Sequence, residues 1–149
     1  MKILEIFSKN NNFITFKEGW DSEIEGEASS PHRWSIGIEA TIVVPKFYIT
    51  ESQLGIMVIE LDAIPYLSKN GSMFQDVLLF MDSSLLTAIR LYDADPKKVT
   101  TQVYLNRHDK PYSLLKFLLP NSMTPSMCGD GADERQLGIG LKSLKLTLS

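Results

Sequence analysis

The stretch that decides the fold is Asp133–Leu148, which reads Asp-Glu-Arg-Gln-Leu-Gly-Ile-Gly-Leu-Lys-Ser-Leu-Lys-Leu-Thr-Leu. After three charged residues, apolar residues alternate with polar or small ones at a period of two, which is typical of a strand with one buried face. The apolar residues then move from odd to even numbers. One extra residue at Lys142–Ser143 restores the buried face, as a β-bulge does. The stretch therefore predicts a long, bulged strand in the centre of a sheet.

Shorter apolar runs fill the rest of the chain, separated by turns rich in Asn, Asp, Gly and Pro. They are predicted strands at 2–7, 13–16, 34–44, 53–61, 77–81, 85–91, 99–105 and 114–119. The run from Trp34 to Val44 is interpreted as one strand, which is expected to pair with the last one. Residues 83–91 fit either a hairpin strand or one helix. Residues 21–32 are acidic and turn-rich, and predict an exposed loop that can include an edge strand.

About nine or ten short strands predict an all-β fold, an antiparallel two-sheet β-sandwich of jelly-roll type. With 149 residues, 44% of them hydrophobic, the chain is long enough for one domain spanning residues 1–149. The net charge of −3 argues against a nucleic-acid partner, which favours a basic surface.

The expected cellular location follows from the lengths of the apolar runs. No run reaches transmembrane length, so no membrane insertion is expected. Glu5 interrupts the apolar start of the chain, which is too short for a secretory signal. A cytoplasmic location is therefore expected.

Three motifs carry a resemblance to a known family. They are Gly19-Trp20 before the acidic loop, Arg33-Trp34-Ser35 after it, and the Asp-Glu-Arg-Gln-Leu-Gly-Ile-Gly-Leu of residues 133–141. Together they resemble the β-sandwich module attached to, or encoded beside, bacterial glycosyltransferases and phosphoglycerol transferases of cell-surface polysaccharide synthesis. That module commonly reads Gly-Trp, then Trp-Ser or Trp-Thr, then Asp-x-Arg-x-Leu-Gly-x-x-Leu. The chain departs from it at Thr124–Gly129, where the module has Ser-Pro-x-x-Leu-Gly.

The resemblance implies a non-catalytic accessory domain whose partner is a glycan or a glycosyltransferase, and it carries over no catalytic residue. The candidate carbohydrate-binding residues are Trp20, Arg33, Trp34 and Glu18. Flat aromatic rings stack on the C–H faces of sugars, while carboxylates and Arg bind hydroxyls. The alternative is that both tryptophans pack in the core or cover its edge, as large aromatic side chains usually do.

A second group, Asp133, Arg135, Leu137 and Gly138, is predicted to be structural. Arg135 lies where a loop becomes a buried strand, and a charge at such a position is tolerated only when it is paired. We therefore expect Arg135 to pair with Asp133 and to fix how the last strand joins its sheet. Contact of Arg135 with a ligand is the alternative.

Metal and catalytic signals are weak in this sequence. Cys128 is the one cysteine, which excludes an intramolecular disulfide, and His32 and His108 are too few for a cupin metal site. No nucleophile motif or phosphate-binding loop is present. The weak calcium candidates are Asp130, Asp133 and Glu134, which otherwise form an acidic turn. No other cofactor is predicted.

The acidic loop allows two interpretations. Glu18, Asp21, Glu23, Glu25 and Glu27 either form a solvated face or bind a cation. Three functions follow from the whole sequence, in this order: a carbohydrate-binding or glycosyltransferase-docking module, a structural module forming a homo-oligomer through an edge strand or an apolar face, and a small glycan-modifying enzyme with paired carboxylates.

Overall fold

The computed structural model describes residues 2–9, 13–46, 55–93, 97–104 and 110–148. These ranges contain eleven strands: β1 Lys2–Glu5, β2 Thr15–Phe16, β3 Glu25–Glu27, β4 Ser30–Ile36, β5 Glu39–Pro45, β6 Ile56–Pro65, β7 Gln75–Met81, β8 Ser84–Leu91, β9 Lys97–Tyr104, β10 Tyr112–Leu118 and β11 Leu137–Leu148. In the described ranges no helix has the length and apolar character needed to cross a membrane.

The strands form two antiparallel sheets. The six-stranded sheet has the order β3-β4-β11-β6-β9, with β1 also paired to β11, and the five-stranded sheet has the order β2-β5-β10-β7-β8. The predicted all-β, two-sheet antiparallel sandwich is therefore confirmed. The strand count exceeds the prediction because the acidic loop contributes the edge strand β3, and because one predicted strand is in fact two.

The closing strand β11 lies in the centre of its sheet, as predicted. It pairs with β6 along one edge, and with β4 and then β1 along the other. The register with β6 shifts between Leu141 and Ser143, which confirms the predicted bulge. The apolar residues on both sides of the bulge are buried: Leu137, Ile139, Leu141, Leu144, Leu146 and Leu148.

The prediction of one strand from Trp34 to Val44 is wrong. The chain forms β4 and β5, which belong to different sheets, so only β4 pairs with β11. Gly37 makes the break with a φ of +88°, a conformation that glycine adopts readily, and Ile38 is 56% exposed. The apolar residues keep their spacing of two across this break, because the turn between β4 and β5 has two residues.

The other strand predictions agree more closely with the structure. Residues 84–91 form β8, the hairpin partner of β7, so the helix alternative is wrong. The strand predicted at 53–61 extends to Pro65, although residues 53–54 lie outside the described ranges, as does Leu105 at the end of the β9 prediction.

The core lies between the two sheets and is built from their inward-facing aliphatic side chains. Met57, Ile59 and Leu61 of β6 face Leu79 of β7 and Phe117 of β10 across it, and all five are at most 2% exposed. Alternate residues on each strand therefore point outward, and the two outer faces they form are where ligands or partners can bind.

Candidate functional site

The outer face of the six-stranded sheet is largely polar. Pairing across β11 and β6 sets up successive outward rows, with Ser143 opposite Asp62 and Lys145 opposite Glu60. Lys145 contacts Glu60 at 3.7 Å from Nζ to Oε2. Rows of hydroxyl, carboxylate and ammonium groups give this face many hydrogen-bonding groups for a polar ligand.

Trp34 stands at one end of this face, over Gly140. The two residues pair directly in the β4–β11 ladder, and Ile64 completes the row on β6. A Cβ atom built on Gly140 would lie 3.5 Å from both ring-fusion carbons of the indole, so the indole turns its face toward the strand. The ring of His32 packs against it edge-on, with centroids 5.7 Å apart. The missing side chain at position 140 therefore makes room for a flat, half-buried tryptophan.

A hydrogen-bond network fixes the orientation of this indole. Trp34 Nε1 donates to Glu25 Oε2 at 3.0 Å, and the other oxygen of Glu25 accepts from Arg135 Nη1 at 2.8 Å. His32 Nε2 lies 3.6 Å from the same Glu25 Oε2 atom. Because Glu25 belongs to the edge strand β3, the acidic loop holds the tryptophan in place rather than forming only a solvated surface.

Arg135 is the centre of the network and binds three carboxylates. Its Nη1 donates to Asp21 at 2.6 Å and to Glu25, and its Nε and Nη2 donate to Asp133 at 3.0 and 2.7 Å. Three carboxylates around one guanidinium give this group a net charge of −2, and His32 is not counted in that sum. The predicted Arg135–Asp133 pair is present, and two further anions share the cation.

The protonation of this cluster follows from its hydrogen bonds. Hydrogen bonds from the side chain and backbone of Arg135 hold the pKa of Asp133 below its usual value. Hydrogen bonding to Asp133, partly opposed by burial and helped by Glu25 and Asp21, raises the pKa of Arg135. A lowered pKa makes Asp133 a poor general acid, since a general acid must hold its proton near neutral pH.

Beside the network, the sheet has a gap. The strands β4 and β1 lie end to end along the same edge of β11, pairing with residues 137–141 and 145–148. The bulge at Lys142–Ser143 faces the space between them, where a cleft of about 340 Å³ opens between residues 5–8 and 28–31. A second cleft of about 210 Å³ adjoins it and shares Glu5 and Ser143 with it; its other lining residues are Glu60, Leu61, Lys98 and Lys145. The two clefts therefore lie side by side at the bulge, and we call them together the depression.

The structure separates the four candidate carbohydrate-binding residues into different environments. Trp20 packs between Phe16 and Phe117, at centroid distances of 5.0 and 5.5 Å, and its Nε1 donates to the Thr41 carbonyl at 2.8 Å. Arg33 lies with its guanidinium 4.4 Å from the centre of the Phe16 ring. These contacts place both residues at the edge of the core, away from the outward-facing Trp34.

Glu18 is also apart from Trp34. Its side chain is exposed, and its backbone N–H donates to Thr41 Oγ1 at 3.1 Å. Adjacent residues of a strand point to opposite faces, which explains why Arg33 and Trp34 cannot share one site. Of the four candidates, only Trp34 faces outward on the polar face.

The remaining structural motif residues support the closing strand. Leu137 is buried, and a Cβ atom on Gly138 would lie 3.0 Å from Ser35 Oγ and 3.2 Å from Leu119. That hydroxyl accepts a hydrogen bond from the Ile139 N–H at 2.9 Å. Gly138 therefore allows Ser35 and Leu119 to approach the strand closely.

The weak calcium candidates have other partners. Asp130 accepts a hydrogen bond from the Tyr66 hydroxyl, and Asp133 is held by Arg135, while Glu134 is exposed. In the part of the chain that the structure describes, no three His, Cys, Asp or Glu side chains are grouped as metal ligands would be. Calcium binding stays a prediction. His108 lies outside the described residues.

The sequence prediction missed Gly140, His32 and the polar side chains around the bulge. Gly140 is a glycine in a strand, which often marks a close approach of another group, and that signal could have pointed to the tryptophan above it. Glu5, Glu60 and Lys145 gave no such signal, since their proximity depends on which strands pair.

The chain is similar in fold to three solved carbohydrate-binding modules. The CBM22-1 xylan-binding domain of Paenibacillus barcinonensis Xyn10C has a TM-score of 0.61 at 13% identity, over 99% of this chain and 94% of that one. The CBM36-1 domain of a multidomain xylanase from the hindgut metagenome of Trinervitermes trinervoides has a TM-score of 0.53 at 11% identity, over 99% and 97%.

The third is a family 35 carbohydrate binding module from Clostridium thermocellum, with a TM-score of 0.52 at 6% identity and complete coverage of both chains. No protein-family profile matches the sequence, and no curated protein matches it. At identities this low, the likeness shows the fold that these proteins share.

Proposed function

We propose that this protein is a non-catalytic carbohydrate-binding module whose site is the outer face of the six-stranded sheet. The observation that carries the proposal is Trp34, a half-buried indole that lies flat over Gly140 and is oriented by Glu25. Support comes from the fold, which resembles modules named for carbohydrate or xylan binding. The side of the indole that faces away from the strand is the platform on which a sugar ring would stack.

The depression at the bulge, which begins at the Ser143–Asp62 row next to the Gly140–Ile64 row under Trp34, would hold the neighbouring sugars. Glu5, Ser143 and Lys145 line it with hydrogen-bonding groups, and sugar hydroxyls both donate and accept hydrogen bonds. Successive outward rows on β6 are about 7 Å apart, because two residues of a strand span that distance. A glycan chain crossing these rows would meet the indole first and the mixed charges of the cleft next.

The charge around the platform favours a neutral glycan. The cluster of Asp21, Glu25, Asp133 and Arg135 has a net charge of −2, and most of the N–H groups of Arg135 already donate to those carboxylates. A uronic acid or a phosphorylated sugar would meet repulsion and an engaged guanidinium. Neutral sugars and amino sugars meet neither obstacle.

The biological setting that we propose is bacterial surface-polysaccharide synthesis, beside a glycosyltransferase. This part of the proposal depends on the motifs Gly19-Trp20, Arg33-Trp34-Ser35 and residues 133–141, which resemble those of glycosyltransferase-associated modules. Two of these motifs supply Trp34 and Arg135 to the site. The expected cytoplasmic location stays a prediction.

The test is a glycan array followed by calorimetric titration of the best neutral ligand. Trp34→Ala should weaken binding of that ligand roughly two- to twelvefold, because aromatic stacking contributes about 0.5–1.5 kcal/mol and each 1.4 kcal/mol is tenfold in affinity. Tyr92→Ala is the matched control, since Tyr92 is an aromatic side chain, 65% exposed, that follows β8 of the other sheet.

Each result has a distinct meaning. Absence of binding to every neutral and acidic glycan would refute the carbohydrate-binding proposal, and equal affinities of wild type and Trp34→Ala would refute the assigned site. Preferential binding of uronic or phosphorylated glycans would contradict only the charge argument.

A further inference from the structure

The polar face carries a second outward aromatic side chain, Tyr104, at the end of the edge strand β9. Tyr104 is 76% exposed, whereas the residue before it is buried, so the two point to opposite sides of the sheet. Tyr104 pairs with Ile56 of β6, and Ile64 of the same strand pairs with Gly140, the residue under Trp34. Residues an even number of positions apart on a strand share a face. Tyr104 and Trp34 therefore lie on the same outer face of the sandwich.

The register of the sheet gives the separation of these two aromatic residues. Ile56 and Ile64 lie eight residues apart on β6, which corresponds to about 27 Å at a rise of about 3.4 Å per residue. Gly140 and Tyr104 lie on the two strands that flank β6, so two strand spacings of about 4.8 Å separate them across the sheet. The backbone under the Trp34 indole and the backbone of Tyr104 are therefore about 30 Å apart, at opposite ends of the polar face.

Three outward rows lie between the two aromatic residues, and every row offers hydrogen-bonding groups. The outward residues of β9 in these rows are polar and exposed: Lys98, Thr100 and Gln102. Their partners on β6 and β11 are polar except for one valine: Asp62 with Ser143, Glu60 with Lys145, and Val58 with Thr147. A chain of sugars crossing the face would meet donors or acceptors at each row.

The position of Tyr104 distinguishes it from an aromatic side chain that is exposed by chance. A single exposed aromatic residue needs no ligand to explain it. Among the described residues on the strands of this sheet, however, Trp34 and Tyr104 are the two that present a tryptophan or tyrosine ring to the outer face. They stand at the two ends of the hydrogen-bonding rows, which is the arrangement expected of a long site with a stacking surface at each end.

We propose that the polar face binds an extended neutral glycan, with one sugar stacked on Trp34 and another, near the far end of the chain, stacked on Tyr104. This inference rests on the proposed carbohydrate-binding function and adds the length of the ligand to it. One sugar unit of a linear chain spans about 5 Å, because its ring is built from single bonds of about 1.5 Å. About six units therefore cover the distance between the two rings, whereas a trimer bound at Trp34 ends before it reaches Tyr104.

Calorimetric titration with neutral oligosaccharides of two lengths tests the proposal. The probes are β-1,4-linked trimers and hexamers of xylose and of glucose, together with the same lengths of the best neutral glycan from the array. The hexamer should bind the wild type more tightly than the trimer does. Tyr104→Ala should weaken binding of the hexamer roughly two- to twelvefold, the range expected for one stacking contact, and leave the trimer unchanged. Trp34→Ala should weaken binding of both lengths.

Two further variants separate the ring of Tyr104 from other effects. Tyr104→Phe keeps the ring and should bind the hexamer as the wild type does. Tyr92→Ala is the matched control, since Tyr92 is 65% exposed and follows β8 of the other sheet, and it should bind both lengths as the wild type does. Circular dichroism would verify the strand content of every variant.

The outcomes distinguish this inference from the proposed function. If Trp34→Ala weakens binding of the hexamer and Tyr104→Ala does not, the extended site is overturned and the Trp34 site stands. Equal affinities of trimer and hexamer for the wild type also overturn the extended site, as does a Tyr104→Ala variant that weakens both lengths alike. Absence of binding to every glycan refutes the proposed function, and the extended site with it.

Discussion

The two outer faces of the sandwich differ in chemistry although their strands are built alike. Both sheets bury alternate aliphatic side chains in one core, but the outward positions hold Trp34, Ser143 and Lys145 on one sheet and Leu78, Phe80 and Leu118 on the other. The core accounts for the fold, and the outward residues distinguish one sandwich from another. A polar face with one oriented aromatic suits a sugar, whereas the largely apolar face offers no comparable set of hydrogen-bonding groups.

The largest expected effect separates the two tryptophans. Trp20→Ala should lower the free energy of unfolding by about 3 kcal/mol, because Trp20 packs between Phe16 and Phe117 at the edge of the core. Trp34→Ala should lower it by only about 1 kcal/mol, since that indole covers a strand from outside. Urea unfolding of both variants measures the difference.

This pair of variants can break the comparison between core edge and outer face. A loss for Trp34→Ala as large as that for Trp20→Ala would mean that Trp34 is a core residue in energetic terms. Trp34 would then not be an accessible ring on which a sugar could stack. Trp20→Phe is a useful intermediate variant, because it keeps one aromatic ring and removes the second ring of the indole together with the N–H bond to the Thr41 carbonyl.

The fold was largely predictable because period-two patterns are local. The bulge at Lys142–Ser143 could be read from a single change of phase, and the hairpin of β7 and β8 from the turn between them. The strand predicted at 34–44 failed because alternation reports only that every second residue of one strand shares a face. It does not say that the chain has crossed from one sheet to the other at Gly37.

The site was less predictable because it is made by pairing across strands that are far apart in sequence. Arg135 and Asp133 are two residues apart and their pairing was predicted, whereas Asp21 and Glu25 reach Arg135 from more than a hundred residues away. The same limit explains Trp34. Its residue type marked it as a candidate, but its neighbour Gly140 depends on the register of β4 with β11.

The second prediction concerns the charge cluster on the polar face. Arg135→Ala should lower the free energy of unfolding by roughly 1–3 kcal/mol, because three carboxylates would lose their shared cation while partly buried. Thermal and urea denaturation measure it. An unchanged stability would contradict the role of Arg135 in joining the last strand to the sheet. Arg135→Lys should recover only part of the loss, since an ammonium cannot reproduce the fork of N–H donors.

At low pH, the difference in unfolding free energy between wild type and Arg135→Ala should become smaller. The pKa of Asp133 is lowered in the folded protein, so its contribution to stability is present above its unfolded pKa of about 3.9 and is lost as the pH falls through the folded value. The gap in stability between wild type and Arg135→Ala should therefore narrow below about pH 4. Unfolding curves at pH 7 and pH 3 test this, and a gap that widens in acid would exclude the carboxylate pairing as its source.

The smallest effect on stability is expected on the apolar face, at Lys116. Lys116 pairs with Glu39, and the two side chains are 36% and 50% exposed, respectively. Exposed ion pairs contribute about 0–1 kcal/mol to stability. Lys116→Met should change the stability of the monomer by less than about 0.5 kcal/mol.

Urea unfolding of the wild type and of Lys116→Met measures this difference. A loss above about 1 kcal/mol would mean that the pair contributes more than an exposed ion pair does.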